Sequence, residues 1–205
     1  MQTSEWVQAY RISAAPTPPK ILDYDKPCGR TAREIAIRTV VLQGIVAVAA
    51  QVDSALIVDW FHQQGIWGYV TPEERVFLAN EHSTEQERRR FFWHQEAEWA
   101  LLWAIGKVEY LGLPNCCCDS VRLVDNIIPA LGADLEPFFT SAKLPPPGVL
   151  LAEDDRTYNM WCYAQQARRE SLLPEDLNLS VLYERRYAFE WLDGISAWDE
   201  VTCDA

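Results

Sequence analysis

FFWHQEAEWALLWAIGKVEYLGL, residues Phe91 to Leu113, decides how this chain folds. Between Ala97 and Gly106 its only polar residue is Glu98, so a helix here is apolar almost all round and belongs inside a core. A membrane span needs about 20 largely apolar residues. Glu96, Glu98, Lys107 and Glu109 interrupt the run before that length is reached. The stretch therefore predicts a central, tryptophan-rich helix in a water-facing protein. Ser83 or Thr84 is placed to cap its start, and Gly112 and Pro114 to close it.

Outward from this helix, the same local signals recur. Thr31 followed by Glu34 is a capping box, and Ile35, Leu42, Ile45, Ala49 and Val52 follow at helical spacing, so a helix is expected over Ala32 to Gln51. A second runs over Ser54 to Gln64, with Gly65 after its end. Thr71-Pro72-Glu73-Glu74 starts a third: threonine caps, proline occupies the first turn and Glu74 reaches back. Beyond the central helix, helical spacing covers Asp119 to Leu131 with Pro129 limiting it, and Leu135 to Leu144 forms a short helix. Pro145-Pro146-Pro147-Gly148 is the strongest punctuation in the chain. The 57 residues after it would be marginal as a free domain. They are read as two helices, Leu150 to Glu170 and Leu179 to Leu192, packed back onto the central one. Residues 1–30, rich in proline, are read as an extended arm, and 31–205 as one domain. No stretch alternates as a half-buried strand does, so the fold class is all-α, a bundle of seven to eight helices.

The net charge is −12. Phosphate recognition depends on Lys and Arg, so a nucleic acid or an anionic membrane surface is a poor partner. The acids crowd towards the C-terminal end, where a basic protein could be steered. The start, Met1 to Trp6, lacks a basic segment followed by an apolar one, which makes the cytoplasm the expected location. Six cysteines include the run Cys116-Cys117-Cys118 but no Cys-x-x-Cys pair, and His62, His82 and His94 form no metal-binding pair on a helix. Reduced thiols and no cofactor or metal are expected.

Glu96 is the oddest charge. It shares a helical stripe with Phe92, Trp99, Trp103 and Gly106, where an unpaired carboxylate is so costly that it must find a cation or take up a proton. Arg33, Arg38, Arg185 and Arg186 are the candidate partners. A buried ion pair tying the C-terminal helix to the central one is the plainer reading, and a general acid or base is the functional one. Asp154, Asp155, Asp199 and Asp204 lack the spacing of a calcium loop and read as exposed acids and helix caps. Arg88-Arg89-Arg90 sits beside Glu85 and Glu87, as a solvated face would. No nucleophile elbow, phosphate loop or dinucleotide turn is present.

Four segments carry a resemblance. They are Trp93-x-x-Glu96, Trp161 with the preceding Asp155 to Met160, the run Tyr183 to Leu192 containing Glu184-Arg185-Arg186, and the ending Trp198-Asp199-Glu200-Val201 to Asp204. In that order, from Arg30 to the end of the chain, they resemble the mainly bacterial family known as domain of unknown function 4272. Arg186 stands where the family commonly has histidine, and Glu190 where it has asparagine. The resemblance implies a helical, cytoplasmic protein and carries no activity with it. Two functions are therefore expected as alternatives. One is a non-enzymatic protein acting by protein–protein contact, immunity-like or regulatory. The other is an enzyme or small-molecule binder with a pocket among Trp93, Glu96, Trp161, Arg185 and Asp199. Glu184 and Trp198 complete the set of candidate pocket or ion-pair residues.

Overall fold

Three of the long helices begin with the same reciprocal cap, which fixes where they start. In the computed structural model, which describes residues 27–175 and 177–203, Thr31, Thr71 and Thr84 each accept the backbone N–H three residues on. The glutamates at those positions, Glu34, Glu74 and Glu87, accept the threonine N–H in return. Two orphan donors are satisfied at each helix end. The helices are α1 (Ala32–Ala49), α2 (Ser54–Gln63), α3 (Pro72–Ala79) and α4 (Glu85–Ala104). After them come α5 (Ser120–Arg122), continued by a π turn over Leu123–Ile127, α6 (Glu136–Thr140), α7 (Pro147–Arg169) and α8 (Leu179–Leu192). Among the described residues the chain is an all-α, single-domain bundle with no strand, and no helix is long and apolar enough to cross a membrane.

α1 and α4 form the centre. They pack along one another more extensively than any other pair, and α8 lies against α4 with α7 outside it. α1 buries every residue from Ile35 to Leu42, and α4 every residue from Gln95 to Leu102, so each is enclosed on all faces over two turns. Burying large apolar side chains contributes about 1.5–3 kcal/mol each. At Gly44 the two neighbouring helices come so close that a Cβ would sit 2.3 Å from Phe61 Cζ of α2. A smaller apolar cluster of Met160, Trp161, Ala164, Leu177 and Leu182 joins α7 to α8.

Several boundaries differ from expectation. The central helix stops at Ala104 rather than near Gly112, because Gly106 (φ +73°) adopts the left-handed conformation first; the apolar pattern then continues without helix through Val108 and Leu111. Pro147 begins α7 instead of preceding it, since the first turn needs no N–H from that residue. The expected helix over Asp119 to Leu131 shrinks to one α turn and one π turn, with Ile128 already extended before Pro129. The expected arm lies outside the described residues except for 27–30.

Candidate functional site

Charged side chains form a layer inside the bundle. Glu96 is fully buried; its Oε1 accepts the Cys118 N–H at 2.5 Å and its Oε2 lies 3.6 Å from Arg185 Nη2. Arg185 also donates to the Gly112 carbonyl at 2.9 Å. Burial raises the Glu96 pKa, against the Cys118 N–H and Arg185, and burial lowers that of Arg185, against Glu96. Loss of water thus disfavours both charges, and each holds the other in place. Arg186 meets Asp154 at 3.2 Å and also pairs with Glu190. Glu184 makes the third link from α8, a hydrogen bond with its Oε2 2.9 Å from His94 Nδ1 on α4. The three consecutive residues Glu184, Arg185 and Arg186 therefore tie α8 to α4, to the loop at Gly112 and to α7.

Above this layer, an open groove of about 320 Å³ lies between α4, α7 and α8. Its walls include Trp93, Trp161 and Tyr183, with Arg90 and Arg168 and with Glu184 at its edge. Trp161 and Tyr183 are 5.8 Å apart between ring centroids, tilted against one another. The indole N–H of Trp161 has no acceptor, although Trp161 is buried. Such a donor costs about 1–3 kcal/mol when unpaired. Arg90 is exposed and paired with Glu73 at 2.6 Å, and Arg168 is exposed on the last turn of α7. Flat aromatic walls with cationic rims suit a ligand that joins an apolar or planar group to an acid.

The seven candidate residues do not meet at one place. Trp93, Trp161 and Glu184 share the groove, whereas Glu96 and Arg185 are enclosed in the charged layer. Trp198 belongs to a second cavity, beneath the guanidinium of Arg38 at 4.4 Å. Asp199 is exposed and accepts the Glu73 N–H at 3.1 Å in the first turn of α3. A single pocket formed by Trp93, Glu96, Trp161, Arg185 and Asp199 is therefore not what the chain builds. Asp204 lies outside the described residues. Arg168 was not singled out by sequence, Arg90 was read only as part of a solvated face and Tyr183 only as part of the C-terminal run, although Trp161 and Arg168 stand two turns apart on one face of α7 and Arg90 one turn before Trp93.

Glu98 was visible only as the lone polar residue of the central run. It is fully buried, and neither carboxylate oxygen has a hydrogen-bond partner. Desolvation raises its pKa well above the ordinary carboxylate value. Among the described residues no group of three or more His, Cys, Asp or Glu side chains is placed to hold a metal ion. None of the six cysteines is joined in a disulfide, and burial, then Glu96, pushes the Cys118 thiol up.

The model of a family described as a domain of unknown function, DUF4272, matches residues 2–201. No curated protein and no solved structure matches the chain.

Proposed function

The chain belongs to the DUF4272 family, and from that premise we propose that it is a non-catalytic binding protein of the cytoplasm that holds a short segment of another protein in the groove between α4, α7 and α8. The observation that carries this reading is the wall of Trp93, Trp161 and Tyr183 flanked by Arg90 and Arg168. Tryptophan, tyrosine and arginine are the side chains that most often dominate binding energy at protein contacts; the aromatics bury much surface for little lost freedom and arginine adds charged, forked hydrogen bonds. The groove's polar groups favour binding over catalysis. Among the described residues its one carboxylate is Glu184, already paired with His94 at 2.9 Å. The segment recognised would present an aromatic or long apolar side chain together with a carboxylate.

Affinity capture from a lysate of the source cells tests this, using wild type beside Trp93→Ala combined with Arg168→Glu. Both positions are outside the fully buried core, so the variant should keep the wild-type melting temperature. A protein retained by wild type, lost from the variant and displaced by a peptide of its own sequence is the expected result. Equal retention by both proteins would overturn the reading. Recovery of only a small aromatic acid from the wild type would replace it with small-molecule binding at the same groove.

A further inference from the structure

A second cavity, of about 420 Å³, lies between α1, α3 and the turn that carries Trp198. Among the described residues Arg30, Arg38 and Arg75 line it, with Glu34 as the acid. We propose that this cavity binds a small oxyanion, a carboxylate or a phosphate, at the guanidinium groups of Arg30 and Arg75.

Arg30 and Arg75 are held in place by groups that leave them charged, whereas the charge of Arg38 is met by Glu74. Arg30 donates from Nε to the Trp191 carbonyl at 3.2 Å and from Nη2 to the Ser196 carbonyl at 2.6 Å, with its plane over the Trp191 ring at 4.7 Å. Arg75 donates to the Trp67 carbonyl at 3.1 Å and lies 5.2 Å above that ring. Carbonyls orient a guanidinium without neutralising it, and each group has five donors, so both arginines keep N–H groups for an incoming anion. Arg38 is buried, donating to the Tyr69 carbonyl at 3.3 Å and pairing with Glu74.

The acids nearby are already engaged. The Glu34 carboxylate takes both the N–H and the hydroxyl of Thr31 at 2.7 Å. Glu74 serves Arg38 and the Thr71 N–H, and Asp199 takes the Glu73 N–H. Among the described residues no carboxylate makes an ion pair with Arg30 or Arg75, so the cavity presents two prefixed cationic forks, and Glu34, held by Thr31, is the charge that an entering anion must avoid. Its volume suits a metabolite-sized ligand. A polyanion is a poor occupant, because the surrounding chain carries a net charge of −12 and would repel it.

Isothermal titration of the full chain with inorganic phosphate and, separately, with succinate tests the proposal at about 20 mM and about 200 mM sodium chloride. Saturable binding with Kd below about 10 mM is expected at the lower salt. Arg75→Gln, at an exposed position, should weaken it by roughly five- to tenfold, and so should the higher salt. Arg30→Gln provides the second removal, checked by its melting temperature because Arg30 also holds the Trp191 and Ser196 carbonyls. Tighter phosphate would identify a phosphorylated ligand and tighter succinate a carboxylate. No saturable heat with either anion at the lower salt would overturn the proposal. So would binding that stays within about twofold of wild type in both variants.

Discussion

Replacing Glu98 with glutamine should stabilise the protein at neutral pH and remove a pH dependence that the wild type carries. The wild-type carboxyl is fully enclosed, lacks any hydrogen-bond partner and has a pKa raised well above 4.5 by desolvation. The folded state therefore binds a proton that the unfolded chain releases above about pH 4.5. Stability from the protonated carboxyl is complete below that pH and falls as pH rises towards the folded pKa, by about 1.4 kcal/mol per unit. The loss continues until the pH reaches the folded pKa, and each unit is a sizeable share of the 5–15 kcal/mol typical of a domain. The amide is the same size and equally short of partners, so Glu98→Gln and wild type should agree within about 1 kcal/mol at pH 5. Their difference should then widen as the pH rises, by at most about 1.4 kcal/mol per unit. Urea unfolding followed by tryptophan fluorescence at pH 5, 6 and 7 measures it. Comparison at each pH removes the contributions of the other acids, including Glu96, which shifts upward, and Glu34, which shifts downward. Parallel stability curves would refute the reasoning, because they would mean that Glu98 ionises alike folded and unfolded.

Glu96→Leu alone strands Arg185 and the Cys118 N–H, and should cost about 3–5 kcal/mol by chemical denaturation; adding Arg185→Leu should recover much of that, because the pair is then replaced by apolar groups. Gly44→Ala should lower stability by about 1–2 kcal/mol in the same assay. The better helix propensity of alanine, worth about 1 kcal/mol, is outweighed by a methyl placed against the rigid Phe61 ring. A reducing agent should leave the melting temperature unchanged, since no disulfide joins any of the six cysteines; a fall of several degrees would mean that one forms.

The starts of α1, α3 and α4 were readable because their caps are local, whereas α7, which has no side-chain cap, begins three residues before the expected Leu150. Thr31 with Glu34, Thr71 with Pro72 and Glu74, and Thr84 with Glu87 each satisfy backbone donors within four residues, whatever the rest of the chain does. Helix ends were less so. Gly106 and Gly112 both have positive φ, and the apolar pattern runs past the first of them, so spacing alone favoured the later one. The burial of Glu96 was foreshadowed by its aromatic neighbours, but its partner depends on the rotation of α8. Arg185 and Arg186 are adjacent and point to different carboxylates, Glu96 and Asp154. The groove was hidden for the same reason. Trp93, Trp161 and Tyr183 come from three helices, and only their packing brings those faces together.

α8 is the element on which both proposed sites depend. Tyr183, Tyr187 and Trp191 follow one another at intervals of four, on one face of the helix. Trp161 packs against Tyr183, Tyr183 against Tyr187, Tyr187 against Trp198 and Trp198 against Trp191, with centroid separations from 4.9 to 6.2 Å. The groove lies at the Tyr183 end of this row of rings and the arginine-lined cavity at the Trp191 end. On its other faces α8 is fixed by Glu184, Arg185 and Arg186 through His94, Glu96 and Asp154. Rotating α8 by the 100° of one residue would break all three links at once and move the ring row away from both openings. The buried charges contribute little net stability against an apolar core of the same shape. What they do is select one rotation of α8, and that rotation sets the side chains of the groove and of the cavity together.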